Sequence, residues 1–498
     1  MTFTRKGEPV PGQDPHRWWG LVIIALAQLM VVLDATIVNI ALPSAQHALH
    51  MSDANRQWVI TAYTLAFGGL LLLGGRIADF VGRKRTFVIG LIGFALASGI
   101  GGAAESSAML FGARALQGCF AAVLAPSALS LLTTTFTDPR ERGKAFGIYG
   151  AIAGGGAAIG FIMGGILTEY LSWRWCLYVN IPIAGIAVLG ALSLLHDRPG
   201  HAEARLDVPG VLLGCGGLVA IVYGCSEAEP RGWSSPFVLA LLIGGGVLLT
   251  LFVAWQKRAP HPLLPLHIVR DRNRAGSFIT MGLATIGLFG LFLFMTYYLQ
   301  TILGYSPLKA GLAFLPMTAA IIIGSTQISA RLLQYTAPRT LMVPGAILAA
   351  GGLLILTQLS VSADYTSHVL PAELLLGLGM GLVFMPVMAT ATAGVAPHDS
   401  GVTSATVNTA QQVGGSIGTA LLNTIATSSA TAYITRHLTN PAQRTQVERA
   451  AVVHGYTVAL WVAVGVMLLA ALVAGLMVTG RAPRHPVPAD EPVPEPVE

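Results

Sequence analysis

The most informative stretch of this chain is Gly75-Arg76-Ile77-Ala78-Asp79-Phe80-Val81-Gly82-Arg83-Lys84-Arg85-Thr86, which lies between the apolar runs 57–74 and 87–103. Its glycines suit a tight reversal between two long helices, so the sequence predicts a short polar turn here. Four basic residues against one acid mark this turn as cytoplasmic, because basic residues beside membrane spans stay on the inner side. Charge alone does not explain the single acid, Asp79, which precedes Arg83 by four residues.

Composition places the whole chain in a membrane. Hydrophobic residues make up 54% of the sequence, charged residues 10%, and the mean hydropathy is +0.67. Soluble domains carry about 25% charged residues, which excludes that class. The net charge of +6 could indicate a nucleic-acid partner, but in a membrane protein the basic excess of inner loops explains it better. We therefore expect membrane lipids, and no nucleic acid, around this chain.

Apolar runs predict an all-α, multi-pass membrane protein with fourteen transmembrane helices. The runs are 18–42, 57–75, 86–104, 109–133, 144–168, 175–195, 208–226, 236–255, 275–299, 308–331, 340–360, 368–394, 402–426 and 453–479. An even number places both termini on one side of the membrane. Most of the 29 Lys and Arg residues fall on that same side, so both termini are predicted to be cytoplasmic.

An internal repeat indicates two related halves. Residues 330–340 can be laid over 75–85, and Glu373-x-x-x-Gly377 over Arg114-x-x-x-Gly118, in the same order. The predicted units are a cytoplasmic N-terminus (1–17), a six-helix bundle (18–195), a cytoplasmic linker (196–207), an extra helix pair (208–255), a second cytoplasmic linker (256–274), a second six-helix bundle (275–479) and a proline-rich disordered cytoplasmic tail (480–498).

Three charged residues lie inside predicted spans, namely Asp34, Arg114 and Glu373. A charge at the centre of a bilayer costs about 2.5–3.5 kcal/mol on insertion scales, so each one needs a reason. Asp34 is either half of a helix-packing ion pair with Arg114 or a carboxylate that exchanges a proton as a cavity opens to alternate sides. Glu373 is either a solvated acid at the outer rim or a second proton-coupling group.

Amides and glycines form two further patterns. Uncharged amides suit a cavity wall that binds loosely and releases, and the candidates are Asn39, Gln117, Asn408, Gln411 and Gln412. Four glycines on span five form a stripe for close helix packing, since apolar helices use small residues to approach each other. They are Gly156, Gly160, Gly164 and Gly165.

Taken in order, these motifs resemble the major facilitator superfamily, and within it the fourteen-span drug:proton antiporters (the EmrB/QacA-type branch). The resemblance implies the superfamily fold, two six-helix bundles plus two extra central helices. It implies an inner-gate motif at Gly75, Asp79, Gly82, Arg83 and Lys84, in which a polar lock between Asp79 and Arg83 helps to hold the inner mouth shut. It also implies proton coupling at Arg114. Further matching segments are Leu33–Pro43, Trp173-Arg174-Trp175 with Asn180-Ile181-Pro182, Leu206–Gly210 and Leu299–Pro307.

The resemblance also implies a function, the export of amphipathic drugs or antibiotics in exchange for protons by a bacterial cytoplasmic membrane protein that acts as a monomer. The chain departs from the pattern at Phe161, where antiporters carry proline, and at Gln411-Gln412, where relatives often carry arginine. With few acids in its spans, the chain is expected to prefer neutral, weakly charged or anionic substrates.

Other classes of function fit less well. An ATP-driven pump would need a phosphate-binding loop, and no GxxxxGK[ST] occurs. No enzyme, cofactor or metal is expected, because no clustered acids or histidines lie in the spans and Cys119, Cys176, Cys215 and Cys225 form no CxxC motif. Two alternatives stay open: a dedicated exporter of an endogenous metabolite, such as a self-made antibiotic, siderophore or lipid, and, more remotely, a receptor or scaffold that transports nothing.

Overall fold

The computed structural model describes residues 16–136, 138–195, 207–260, 262–395, 400–438 and 441–480. All regular secondary structure in these ranges is helical. Most of the predicted N-terminus, first linker and C-terminal tail therefore lies outside the described residues, as does the side chain of Asp79.

Eighteen α-helices follow one another in the described part of the chain. They are α1 (Arg17–Ala48), α2 (Trp58–Val81), α3 (Arg83–Gly102), α4 (Ser107–Thr135), α5 (Pro139–Tyr170), α6 (Trp175–Tyr178), α7 (Asn180–Leu194), α8 (Val208–Arg231), α9 (Pro236–Gln256), α10 (Leu266–Arg270), α11 (Arg272–Tyr297), α12 (Pro307–Ala313), α13 (Leu315–Ile322), α14 (Ala330–Leu332), α15 (Arg339–Leu356), α16 (Leu370–Thr392), α17 (Ser400–His437) and α18 (Arg444–Met477). Three short π-helical segments, Tyr298–Ile302, Ile323–Ser329 and Tyr365–Val369, join some of them.

Twelve helical segments in the described residues are long and apolar enough to cross a membrane. The expectation of an all-helical membrane protein is thereby confirmed. Two of the fourteen predicted spans, α5 and α17, are not among the twelve, although they contain 32 and 38 residues and pack against α1 and α11. The count of fourteen stays a prediction at these two helices.

The predicted polar turn at 75–86 is much shorter than expected. Helix α2 continues to Val81 and α3 begins at Arg83, so Gly82 alone separates them. Its φ of 104° is the left-handed region that favours glycine, because a Cβ atom would clash with the backbone there. Gly75 and Asp79 therefore lie within the last turns of α2. The polar residues of this stretch therefore do not interrupt α2 before Gly82.

The helices pack as two related groups. In the first, α2 packs on α4 and α1 on α5; in the second, α13 packs on α16 and α11 on α17. Gly118 of α4 faces the backbone of Tyr63 in α2, and Gly377 of α16 faces the backbone of Met317 in α13, each too closely for a Cβ atom. Two equivalent close crossings at matched glycines support the internal repeat. The exact unit boundaries remain predictions.

The extra pair, α8 and α9, packs on itself and lies beside α2 and α17, which belong to different groups. Asp207 precedes the first residue of α8 and connects the two helices of this pair. Its carboxylate accepts hydrogen bonds from Trp255 Nε1 at 2.7 Å, Gln256 Nε2 at 2.7 Å and the Gly210 backbone N–H at 2.9 Å. Partial burial raises the pKa of Asp207, but these hydrogen bonds outweigh it and hold the pKa below its ordinary value. A charged Asp207 therefore joins the first turn of α8 to the last turn of α9.

We call the two groups of helices the N half (α1–α7) and the C half (α11–α18). Hydrogen bonds join the two halves at one end of the molecule. We call the face where α1 begins and α18 ends the terminus side, and the opposite face the far side. The hydrogen bonds that join the halves at the far side include Gln300 Nε2 to Ile40 O at 2.9 Å, Leu308 N to Glu169 Oε2 at 3.0 Å, Asn423 Nδ2 to Asp53 O at 3.1 Å and Arg56 Nη2 to Tyr456 Oη at 3.4 Å. At the terminus side, the described hydrogen bonds of Lys84 and Arg272 stay within their own halves. The structure is thus closed at the far side.

Candidate functional site

Asp34 lies at the centre of a buried polar cluster in the N half. It is halfway along α1 and has no solvent-exposed surface. Its carboxylate accepts hydrogen bonds from Arg114 Nη1 at 2.6 Å, Gln117 Nε2 at 3.0 Å and Asn180 Nδ2 at 2.8 Å. The donors come from α4 and α7, so one carboxylate joins three helices.

Arg114 is held on every side. Its Nε donates to the Val59 carbonyl of α2 at 2.9 Å, and its Nη1 donates to Gln117 Oε1 at 2.8 Å. The guanidinium carbon also lies 4.4 Å from the centre of the Tyr63 ring, which is a cation–π distance. Arg114 and Gln117 are three residues apart and so share one face of α4, as their spacing predicts.

Ser98 on α3 completes the cluster. Its hydroxyl accepts from Gln117 Nε2 at 2.7 Å and donates to the Phe94 carbonyl at 2.8 Å. Five helices, α1, α2, α3, α4 and α7, therefore converge on one charge pair. Two buried atoms at its edge, Tyr63 Oη and Asn180 Oδ1, have no hydrogen-bond partner among the described residues. They leave the cluster with unused hydrogen-bonding capacity.

Sequence reasoning found only part of this cluster. The pairing of Asp34 with Arg114 follows from the rarity of charges in the spans, and Gln117 from its spacing to Arg114. Asn180 was passed over, although it opens the quoted Asn180-Ile181-Pro182 motif, and that motif could have identified it. Ser98 and Tyr63 gave no signal, because single hydroxyl residues are common in transmembrane helices.

The geometry couples the charge of Asp34 to the position of Arg114. A buried ion pair is tolerated only while both charges are compensated, and removing one partner is strongly destabilising. If Asp34 takes up a proton, Arg114 keeps its charge and loses its counterion, so it must move or become hydrated. Protonation of this carboxylate would therefore disturb the packing of the helices that the pair joins.

Glu373 is fully buried in the first turn of α16, so the expectation of a solvated acid at the rim is wrong. The π-helical segment Tyr365–Val369 folds over it and excludes water. The Tyr365 hydroxyl lies 3.4 Å from Glu373 Oε2 and 2.8 Å from the Ala313 carbonyl. Glu373 Oε1 has no hydrogen-bond partner among the described residues. Glu373 is thus a buried carboxyl with one long hydrogen bond and no described basic partner.

The residues of the predicted inner-gate motif lie at the terminus side, around Gly82. Lys84 does not reach across to the C half; its ammonium donates to the carbonyls of Leu192, at 3.0 Å, and Leu195. A cation at the last carbonyls of α7 is favoured by the negative end of the helix dipole. The proposed lock between Asp79 and Arg83 involves a side chain outside the described ones and is left as a prediction.

The glycine stripe on α5 faces two partners. Added Cβ atoms at Gly156, Gly160 and Gly164 would meet Val32, Thr36 and Ile37 of α1, within the N half. At Gly165 a Cβ atom would instead meet the backbone of Leu308 in α12, across to the C half. The first three glycines thus lie against α1, and Gly165 lies where the two halves are in contact.

Phe161, which replaces the proline expected in this stripe, lies in the same contact between halves. Its ring is fully buried and stacks on Phe314 of the C half, with centroids 4.9 Å apart and planes at 21°. Phe292 of α11 lies 5.5 Å from it. The aromatic side chain thus fills the seam, whereas a proline would leave that space empty.

The candidate amides do not gather at one place. Asn39 and Asn408 donate to carbonyls of their own helices, Ala35 O at 2.8 Å and Ser404 O at 3.1 Å. Gln411 and Gln412 are half-buried on α17, where the Cβ of Gln412 lies against Gly68 of α2 and its Oε1 has no described partner. No described hydrogen bond joins any of these four to the Asp34 cluster.

Comparison with known proteins agrees with this architecture. The puromycin resistance protein pur8 of Streptomyces alboniger is 58% identical over 472 residues, which cover 94% of this chain and 93% of that protein. The cephamycin export protein CmcT of Amycolatopsis lactamdurans is 39% identical over 410 residues, or 81% and 84% of the two chains. Many further proteins also match.

Among solved structures, a bacterial homolog of the human lysosomal transporter Spinster, in an inward-facing and unoccupied conformation, has a TM-score of 0.66 at 16% identity. The match covers 94% of this chain and 98% of that one, and at this identity it shows the fold alone. The sequence model of the Major Facilitator Superfamily matches residues 24–419. With its helical repeat, its buried charge pair and these relatives, the chain belongs to the major facilitator superfamily.

Proposed function

We propose that this protein exports an amphipathic drug or antibiotic across the bacterial cytoplasmic membrane in exchange for protons. The observation that carries the proposal is the fully buried Asp34–Arg114 pair, which ties protonation of one carboxylate to five helices of the N half. Relatives named for puromycin resistance and cephamycin export support an antibiotic as the cargo.

The structure suggests how the two movements are linked. With the far side closed, a substrate enters from the terminus side, which we infer to be cytoplasmic because its loops are basic. Substrate binding near the N half favours the ionised pair as described, and the halves then rock so that the far side opens. A proton that reaches Asp34 from outside leaves Arg114 without its counterion, so the guanidinium must move or become hydrated. Returning to the far-side-closed form delivers that proton inward.

Glu373 is proposed as a second proton-coupling group. It occupies in the C half the position that Arg114 occupies in the N half, four residues before a glycine at an equivalent helix crossing. Because it has no described basic partner, its ionised form would require opening of the Tyr365 cover to water. Rearrangement at the far side would supply that opening.

The relatives also favour the second candidate, a dedicated exporter of an endogenous antibiotic. Both relatives described above are named for a single antibiotic rather than for multidrug efflux. The two functions share one mechanism and differ only in breadth of substrate.

We further propose that the protein acts as a monomer with both termini in the cytoplasm.

Drug accumulation in living cells tests the export function. The protein, or its Asp34→Asn variant, is produced in a drug-sensitive bacterium lacking its own major pumps, and cell-associated puromycin and two unrelated amphipathic dyes are measured. We expect the wild type to lower the accumulation of at least one compound several-fold, and the variant, present at equal amounts in the membrane, to lower none. Puromycin alone would indicate a dedicated exporter, and all three compounds a broad one. Equal accumulation with and without the wild type, for every compound, would contradict the proposal.

A further inference from the structure

Arg56 is a buried cation that the transport site does not use. It lies in the connection between α1 and α2, at the far side, and only 5% of its surface is exposed. Arginine is rarely buried unless its charge is compensated. Its one carboxylate partner, Asp53, lies 3.1 Å away, but the Asp53 side chain is 58% exposed to solvent. Asp53 alone therefore does not explain why Arg56 is buried.

The other partners of Arg56 belong to the C half. The guanidinium carbon lies 3.9 Å from the centre of the Tyr297 ring of α11, which places the cation over the ring face. One Nη donates to the hydroxyl of Tyr456 in α18 at 3.4 Å. Phe294 stacks on Tyr456 with centroids 4.9 Å apart and completes the aromatic wall. A cation of the N half is thus received by an aromatic pocket of the C half.

A neighbouring hydrogen bond joins the same connection to a third helix of the C half. Asn423 Nδ2 of α17 donates to the carbonyl of Asp53, three residues before Arg56. Residues 53–56 consequently contact α11, α17 and α18 together. Such a contact cannot persist when the halves separate at the far side.

The contact also leaves two polar atoms without a described hydrogen bond, and this cost makes it reversible. Arg56 Nε and Tyr297 Oη are both buried without a hydrogen-bond partner among the described residues. When the far side opens, water can reach both atoms and hydrate the guanidinium. The closed form gains the cation–π contact, and the open form gains hydration, so the two forms can lie close in free energy.

We propose that Arg56 is the positioning residue that holds the far side closed and so sets the ratio of the two orientations of the transporter. The proposal rests on the alternating movement put forward under the proposed function. It assigns Arg56 no contact with substrate or proton. Its role is to bind the aromatic pocket of Tyr297, Tyr456 and Phe294 in one orientation and to leave it in the other.

Distance measurements across the far side test this role directly. Glu105→Cys in the N half and Ser362→Cys in the C half, both exposed far-side residues, carry spin labels after the four native cysteines are replaced by serine or alanine. Double electron–electron resonance in lipid nanodiscs then gives the fractions of molecules with a short and with a long distance between the two labels. We expect Arg56→Gln to raise the ratio of open to closed forms roughly 5- to 30-fold, the factor that corresponds to losing one desolvated cation–π contact.

Arg231→Gln is the matched control. Arg231 also lies at the far side, with its guanidinium 4.4 Å from the Phe237 ring, but both residues belong to the extra pair and join no halves. The control should leave the distances unchanged, and Arg56→Lys, which keeps the charge but not the planar group, should fall between Arg56→Gln and the parent.

Should Arg56→Gln fail to fold, two variants of the C half weaken the same contact and are expected to shift the same equilibrium. Tyr456→Phe removes the hydroxyl that accepts from Arg56, and Tyr297→Leu removes the ring beneath the guanidinium. Unchanged distances in Arg56→Gln, or in both pocket variants, would overturn the proposal. The distance measurement does not require transport. If Arg56→Gln shifts the distances while the wild type exports no drug, the proposed function is contradicted and the role of Arg56 stands.

Discussion

Asp34 and Asn39 lie little more than one turn apart on α1, yet their surroundings differ completely. Asp34 is bonded by side chains of two other helices, whereas the Asn39 amide donates only to a carbonyl of its own helix. A polar side chain that joins helices through hydrogen bonds has a role that its residue type alone does not reveal. This difference explains why the candidate amides were only partly informative.

Asn180 provides a test at this scale. Asn180→Ala removes one of the donors to the buried Asp34 carboxylate, and a buried charged acceptor left short of donors costs about 1–3 kcal/mol. We expect a lower midpoint of thermal unfolding in detergent and reduced drug export. Asn39→Ala is the control, since it leaves no acceptor of another helix unpaired. Equal losses in the two variants would show that the cluster has no special stability.

The charged residues of the spans could be found from sequence because each is costly in a bilayer, and their pairing followed from their scarcity. The depth and surroundings of Glu373 could not be predicted. Its burial depends on Tyr365, which lies in a π-helical turn that no local sequence pattern predicts. Only the folded chain brings that ring over the carboxyl.

Among the helices, α5 shows what a small-residue pattern can and cannot predict. The spacing of its glycines predicted a packing face, and an added Cβ atom at Gly164 would lie 2.9 Å from the Ile37 carbonyl of α1. The pattern did not reveal that Gly165, the next residue, contacts the other half. Spacing gives the face of a helix, whereas the partner depends on the tertiary arrangement.

Gly164→Val tests the packing role of this face. The larger side chain has no room against α1, and overpacking of this kind costs typically 1–3 kcal/mol. We expect less monodisperse protein in gel filtration and a lower unfolding midpoint. Gly155→Val on the same helix is the control, because no atom lies within 4 Å of its added Cβ. A Gly164→Val variant as stable as the control would refute close packing of α5 on α1.

For the whole molecule, the sequence was sufficient to predict the class of fold. Apolar runs and the weak repeat predicted a helical membrane protein with two related halves, and the matched crossings at Gly118 and Gly377 agree with it. The sequence did not predict which side of the molecule is closed. Which side is closed depends on contacts between distant segments, such as Gln300 with Ile40, whose residue types are ordinary at any helix end.

In the mechanism that we propose, proton and substrate use the same pair of movements. The cluster lies in the N half, and the contacts that close the far side join that half to the C half at Asp53, Arg56 and Glu169. A proton on Asp34 can influence these contacts only by shifting the helices that the cluster joins. In the exchange of drug for proton that we propose, the whole molecule takes part, with Asp34 as its chemical centre.

The most direct test of this central claim is drug-driven proton movement in everted membrane vesicles with an acidified interior. Puromycin and a panel of amphipathic drugs are added to vesicles that contain equal amounts of the wild type or the Asp34→Asn variant, and proton release is followed with a pH-sensitive dye. We predict release with the wild type for at least one drug and none with the variant, because asparagine keeps the size of the side chain but cannot carry the proton. Equal drug-dependent release from both would remove Asp34 from the mechanism and contradict the account.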